Sequence, residues 1–206
     1  MIEAFRSGYD IHAATAAKVY KKDINEVTRE ERSKAKTANF GIIYGISVFG
    51  LAERMDVDRK EAKELIDGYF ETYPGVKAYM DKSIQVAQEK GYVETIFHRK
   101  RFLPDINSRN AIVRGYAERN AINAPIQGSA ADIIKIAMIR VSDEMKKQNM
   151  KSRMILQVHD ELLIETKKEE VETVSRILEE EMKGAVHLSV ELDVDMHEGN
   201  SWYEAK

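Results

Sequence analysis

The stretch RSKAKTANFGIIYG, residues 32–45, carries two cations and two aromatic rings at a strict spacing of four residues. They are Arg32, Lys36, Phe40 and Tyr44. On a helix, residues four apart lie one above the other, so these side chains share one face. A polyanion along that face would turn the repulsion between the cations into attraction, and the rings suit a flat group such as a base. The alternative is a basic solvated face that runs into two core aromatics.

Capping residues predict where the helices begin. Asp10 can cap a helix that runs to about Tyr20. The pattern from Thr28 to Glu31 is a capping box, which starts the next helix near Arg29 and places the four-residue stripe along its length. Further helices are predicted over residues 47–55, 58–72, 76–90, 109–123 and 169–183. Pro125 is expected to interrupt the helical pattern, and another helix is predicted from beyond it to residue 147.

Strand-like patterns occupy three places. Residues 92–103 predict a β-hairpin with a basic tip. Residues 153–158 and 162–166 predict a second hairpin with the tip His159-Asp160-Glu161, and residues 188–196 predict a further strand. The strongest helices come first and the sheet comes last, so we expect an α+β chain, mainly helical, with a boundary near residue 116.

The second hairpin, ILQVHDELLIE at residues 155–165, sets two neighbouring carboxylates at its tip. Adjacent acids form turns poorly and repel each other, so a cation would stabilise them. Mg²⁺ suits this arrangement, because it is commonly held by one or two carboxylates plus substrate phosphates. The alternative is a solvated hairpin tip. The alternating acids Glu191, Asp193 and Asp195 are interpreted as the wet face of a strand rather than as a metal site.

A third segment, RNAINAPIQGSAAD at residues 119–132, repeats the four-residue step with Arg119, Asn123 and Gln127. Arginine and long amides on one helix face can reach phosphates or minor-groove acceptors, although a plain polar face is the alternative. Six cations against two acids between residues 99 and 119 could follow a nucleic-acid backbone, and a solvated basic loop competes with that interpretation.

Composition excludes several classes of protein. No run of about 18 apolar residues is present, so no membrane span is expected. The 206 residues include no cysteine, which excludes disulfides and thiolate sites and fits a reducing cytoplasm, and the five histidines lack paired metal-ligand spacing. Residues 1–159 hold 27 Lys and Arg against 21 Asp and Glu, whereas residues 160–206 hold 5 against 14. A basic body with an acidic end weakly favours a polyanionic partner.

The three segments together resemble family-A DNA polymerases. An Arg, a Lys, a Phe and a Tyr-Gly pair at this spacing are similar to the nucleotide-binding helix of that family's fingers domain. Val158-His159-Asp160-Glu161 is similar to its carboxylate hairpin, and residues 119–127 resemble its primer–template contacts. The likeness covers essentially the whole chain. It implies a fingers-like helical region over residues 1–116 and the C-terminal part of the palm, with a small antiparallel sheet, over residues 117–206.

On the nucleotide side, the resemblance implies template-directed DNA synthesis, in which a primer 3′-OH attacks the α-phosphate of a dNTP under two-metal catalysis. Arg32 and Lys36 would bind the phosphates of the dNTP. Phe40 would pack near its base and sugar, and Tyr44 would lie near the template base.

On the metal and DNA side, Asp160 and Glu161 would hold Mg²⁺ and, with Lys36, form the catalytic set. His159 would lie near the primer terminus. The other implied DNA contacts are Arg119, Asn123 and Gln127. The partners would be primer–template DNA and dNTPs, with no membrane, in a monomeric parent protein that acts in replication and repair in the cytoplasm at the nucleoid.

One departure from the family is that no Asp-Tyr-Ser motif, which would supply a second metal-binding Asp, precedes Phe5. Asp160 and Glu161 alone are not expected to hold two ions, so the isolated chain is expected to bind nucleotide weakly and to polymerise poorly or not at all. A non-catalytic nucleic-acid-binding module is the main alternative. A helical interaction protein with accidental matches is a third.

Overall fold

The computed structural model describes residues 2, 6, 8 and 10–205. The chain is mainly helical with two small antiparallel sheets, which confirms the predicted fold class. The helices within the described residues are α1 (Ile11–Val19), α2 (Arg29–Ile43), α3 (Val48–Met55), α4 (Arg59–Thr72), α5 (Pro74–Lys90), α6 (Ala111–Lys147) and α7 (Val171–Lys183). The strands are β1 (Tyr92–Glu94), β2 (Lys100–Phe102), β3 (Arg153–Val158) and β4 (Glu161–Glu165), paired as β1–β2 and β3–β4.

The predicted caps start the helices. The Asp10 carboxylate accepts hydrogen bonds from the backbone N–H groups of His12 and Ala13, so α1 begins where the sequence predicts. Thr28 and Glu31 form a complete capping box, because each side chain accepts from the backbone N–H of the other. The caps of α3 and α4 are Ser47 and Asp58. The first four helix starts therefore follow from local chemistry.

A Schellman motif ends α2. The Gly45 N–H donates to the carbonyl of Ile42 at 2.9 Å, and the Ile46 N–H donates to the carbonyl of Gly41 at 2.8 Å. Gly45 has φ +74°, a left-handed conformation that glycine adopts without steric cost. A Cβ on Gly41 would lie 3.0 Å from Ile46 Cγ2, so the two glycines let the chain turn tightly.

Pro125 does not interrupt its helix, and this prediction is wrong. Helix α6 is continuous from Ala111 to Lys147 with Pro125 inside it. A proline removes only one N–H donor, and packing on both sides can hold the helix through it. Ala121 and Ile122 before the proline and Ala137 and Val141 after it are all buried.

The predicted strand over residues 188–196 is also wrong, since these residues form no strand in the structure. Alternating hydrophobicity favours a strand only where a neighbouring strand can accept its hydrogen bonds. Within residues 10–205, the sheet of β3 and β4 contains no third strand.

The chain forms two compact units that divide between Ile126 and Gln127. The core of the first unit includes Leu51 and Leu65, together with Ile42 and Tyr69, and a further cluster around Val93, Ile106 and Ala121. The core of the second unit is formed by Val141, Met145 and Ile177, with Met154 and Ile164 packed against them. The boundary near residue 116 stays a prediction.

Candidate nucleotide-binding helix and carboxylate hairpin

The four stripe residues of α2 all face solvent. Phe40 is 49% exposed and Tyr44 45% exposed, and Arg32 and Lys36 are exposed beside them. The opposite face, with Ala35, Ala38 and Ile42, is buried. The interpretation of the two rings as core aromatics is therefore wrong. Two large rings held in water next to two cations form a surface suited to an anionic ligand with a flat group.

The two cations have different surroundings. Arg32 donates from Nε and Nη2 to one oxygen of Asp10, at 2.9 Å and 2.5 Å. The pKa of Asp10 is lowered, first by the Ala13 backbone N–H and then by Arg32. Asp10 therefore fixes the guanidinium while it caps α1. Lys36 makes no ion pair with any residue that the structure describes, so its charge is available to a ligand.

His12 joins this surface, and sequence reasoning missed it. Its ring centroid lies 5.7 Å from that of Phe40, and its Nδ1 lies 3.0 Å from Asn39 Nδ2. Burial is the largest cause that lowers the pKa of His12; Arg32 and Lys36 lower it further, and Asp10 opposes them. The only signal in the sequence is that His12 follows the cap of α1. His12 has no second histidine at metal-ligand spacing.

Helix α6 meets the end of α2. Asn123 Nδ2 lies 3.4 Å from the carbonyl oxygen of Tyr44, and a Cβ on Gly45 would lie 3.3 Å from Arg119 Cγ. The structure thus brings Arg119 and Asn123 beside the aromatic end of the stripe. Gln127 is exposed and belongs to the second unit.

The carboxylate hairpin has a tighter tip than the sequence predicted. Glu161 is the first residue of β4 and pairs with Val158, so the loop contains only His159 and Asp160. His159 has φ +53°, a left-handed conformation in which histidine is enriched among non-glycine residues. Gln157 Nε2 donates to the His159 carbonyl at 2.6 Å and stabilises the turn.

All three polar residues of this tip, His159, Asp160 and Glu161, are exposed. Among the residues that the structure describes, no group of three or more His, Cys, Asp or Glu could hold a metal ion. Asp160 and Glu161 still offer the hard oxygen donors that Mg²⁺ prefers. Mg²⁺ commonly binds one or two protein carboxylates together with phosphates of its substrate. The donor set fits one Mg²⁺ shared with a phosphate ligand.

The basic hairpin of β1 and β2 exposes aromatic rings together with its charges. Lys100 Nζ lies 4.4 Å from the centroid of the Tyr92 ring, which contacts Phe102 at 5.7 Å. Phe102 is 67% exposed and Phe97 39% exposed. Exposed rings among cations are typical of surfaces that bind single-stranded nucleic acid.

The family model described as DNA polymerase family A matches residues 1–204. The chain belongs to DNA polymerase family A. It is 53% identical to DNA polymerase I of Geobacillus stearothermophilus and 54% identical to that of Caldicellulosiruptor bescii, each over 206 residues that are 100% of this chain and 24% of the relative. This family-A chain therefore spans about a quarter of the length of the curated relatives it matches.

A solved structure shares the fold of the family-A chain. It is described as the POL domain of Pol1 from M. smegmatis in complex with DNA primer-template and dNTP. Its TM-score is 0.93 at 43% sequence identity, over 99% of this chain and 36% of that one. Accidental matching is excluded as an explanation of the three segments. Among the described helices, none combines the length and the apolar character needed to cross a bilayer.

Proposed function

We propose that this chain is part of a DNA-directed DNA polymerase that transfers a nucleotidyl group from a dNTP to a primer 3′-OH. The observation that carries the proposal is the solvent-facing stripe of α2, with two cations followed by two exposed rings. The family-A relative with primer-template and dNTP in its printed description supports the same substrates. The parent protein acts as a monomer in the cytoplasm at the nucleoid, in replication and repair.

Helix α2 binds the incoming nucleotide. Lys36 and the guanidinium of Arg32 take the phosphates, because charge-assisted hydrogen bonds to phosphate are the strong ones. Phe40 packs against the base and sugar, and Tyr44 lies at the template side. His12 adds a ring nitrogen to the phosphate end of the same surface.

Asp160 and Glu161 hold Mg²⁺ through their carboxylates. An ion held there would supply Lewis-acid stabilisation of phosphate charge. Lys36 contributes a fixed positive charge to the phosphates of the dNTP. Two-metal catalysis needs further carboxylates beyond this pair, so we propose that the 206-residue chain by itself polymerises poorly or not at all.

The DNA is contacted by Arg119, Asn123, Gln127 and His159, and the basic hairpin adds sequence-independent affinity for the backbone. The second candidate function is a non-catalytic nucleic-acid-binding module. It is favoured by the finding that the described residues contain no group of three or more His, Cys, Asp or Glu that could hold a metal ion. DNA affinity that ignores both Mg²⁺ and dNTP would support it.

The first test is binding of dATP to the 206-residue chain, measured by isothermal titration calorimetry with and without Mg²⁺. Lys36→Ala should weaken binding about tenfold, because it removes one charge-assisted hydrogen bond. The matched control is Lys34→Ala, which removes the same charge from the same helix where Lys34 pairs with Glu30 and Glu61. Equal losses in both variants would contradict a specific phosphate site on the stripe.

The second test is primer extension on primed DNA with four dNTPs and Mg²⁺, using the chain and its Asp160→Ala variant. We expect no extension by either. Extension that depends on Asp160 would show that the chain assembles a working metal site and would overturn the proposed inactivity of the isolated chain. If the chain binds the primed template with an affinity that does not depend on Mg²⁺ and does not bind dATP, the non-catalytic nucleic-acid-binding module is the better description.

A further inference from the structure

Asn39 is a buried polar residue in the middle of α2, only 4% exposed. Its amide nitrogen faces two atoms of α1: His12 Nδ1 at 3.0 Å and Thr15 Oγ1 at 3.2 Å. A side-chain amide has two N–H donors, so one nitrogen can serve both atoms. Asn39 is therefore the link between α1 and the face of α2 that carries the stripe.

The hydroxyl of Thr15 decides which end of the Asn39 amide faces α1. Thr15 Oγ1 donates its only proton to the carbonyl of Ile11 at 2.8 Å. Its oxygen is therefore left as an acceptor, and Asn39 must present N–H to it. Tyr73, whose hydroxyl lies 3.2 Å from the same oxygen, can donate to the remaining lone pair.

The same amide fixes the protonation of His12. Because Asn39 donates to Nδ1, that nitrogen keeps its lone pair and the single proton of a neutral ring resides on Nε2. A second proton is opposed by burial and by the charges of Arg32 and Lys36, with Asp10 as the one opposing carboxylate, and these groups set the pKa of His12 below its usual value. Within residues 10–205, His12 Nε2 makes no hydrogen bond.

We propose that Asn39 is a positioning residue that holds His12 as the neutral Nε2–H tautomer and thereby presents a hydrogen-bond donor to the phosphates taken by Arg32 and Lys36. This inference rests on the proposed nucleotide site. A neutral donor adds a hydrogen bond to the phosphates without repelling the two cations when no nucleotide is bound.

The tautomer is measured directly by long-range ¹H–¹⁵N NMR of the imidazole rings in the uniformly labelled 206-residue chain, with His12→Gln to assign the signals. We expect Nε2 to be protonated and Nδ1 unprotonated at pH 7.5, and the pKa of His12 to lie below 6.5. Asn39→Asp replaces the donor by an acceptor, so Nδ1 should become protonated and the pKa of His12 should rise. The control Asn110→Asp adds the same charge where the side-chain oxygen already caps α6, and it should leave His12 unchanged.

The consequence for binding is measured with dATP as the probe. Asn39→Leu, which removes the donor at similar volume, should weaken dATP binding about fivefold, the value of one ordinary hydrogen bond. It should have no further effect in a His12→Gln background, as a double-mutant cycle would show. The control Asn107→Leu removes a side-chain amide that donates to the carbonyl of Gln88 in α5 and not to α1, and it should leave the affinity within twofold.

The outcomes separate the two proposals. If the wild-type chain shows Nδ1–H, the role of Asn39 is wrong whether or not dATP binds. The role is also wrong if Asn39→Leu weakens binding equally in the His12→Gln background. If the tautomer is as expected but dATP does not bind or does not perturb Nε2, the proposed nucleotide site is wrong. The hydrogen bond from Asn39 to His12 Nδ1 is then still supported. The tautomer is measured on the wild-type chain, and only the assignment of the His12 signals uses a variant.

Discussion

Gly45 is the residue on which the geometry of the nucleotide helix most depends. It has φ +74°, and a Cβ there would meet Arg119 Cγ at 3.3 Å. A non-glycine residue in the left-handed conformation costs about 1–2 kcal/mol. We therefore predict that Gly45→Ala lowers the free energy of unfolding by about 1–2 kcal/mol, measured by urea denaturation followed by circular dichroism.

The matched control is Gly75→Ala in the first turn of α5, where a Cβ would meet nothing within 4 Å. Alanine favours a helix over glycine, so this variant should be neutral or slightly stabilising. If both variants lose the same stability, the conformation of Gly45 is not what the fold requires. A dATP affinity that falls only in Gly45→Ala would show that the end of α2 also positions the stripe.

At the scale of the element, hydrogen bonds between neighbouring residues fix both ends of α2. The stability of its N-terminal cap also depends on pH. Glu31 accepts from the Thr28 backbone at 2.9 Å and from Lys22 Nζ at 2.5 Å. The hydrogen bond from Lys22, and next that from Thr28, lowers the pKa of Glu31 to about 2 from 4.5. Because the folded pKa is the lower one, this stabilisation is complete above pH 4.5 and is lost as the pH falls towards 2.

We predict that Glu31→Gln lowers the melting temperature at pH 7 and that the difference from the wild type shrinks below pH 4.5. Glutamine can still accept from the Thr28 N–H, so the loss at pH 7 reports mainly the charge. The control is Glu64→Gln on α4, whose carboxylate is 4.0 Å from Lys60 and exposed. A difference between Glu31→Gln and the wild type that is the same at pH 7 and pH 2.5 would contradict the shifted pKa of Glu31.

Helices whose ends are set by neighbouring residues could be predicted from the sequence. Features that depend on contacts with residues far along the chain could not. The cap at Asp10, the capping box at Thr28 and the spacing of the stripe all act within a few residues. The strand over residues 188–196 failed because a strand needs a neighbour, and the break at Pro125 failed because burial on both sides holds α6 together. His12 was missed because the contact that places it, with Asn39, joins residues 27 apart.

At the scale of the whole molecule, the two units have separate cores. Val141 is fully buried in the second unit, against Met145 and Ile177, and Leu51 is fully buried in the first. Removing two buried methyl groups and leaving a cavity costs about 2 kcal/mol. Native-state hydrogen exchange can locate that cost, because amides exchange through the opening of the region that contains them.

We predict that Val141→Ala speeds amide exchange in β3, β4 and α7 while the amides of α2 keep their wild-type rates. Leu51→Ala is the matched control and should do the reverse, with faster exchange in α2 to α4 and no change in α7. Since the stripe belongs to the first unit, dATP affinity should survive Val141→Ala and fall in Leu51→Ala. Uniform acceleration of all amides by either variant would mean that the chain unfolds as one cooperative body, and the nucleotide helix would then depend on the core beneath the carboxylate hairpin.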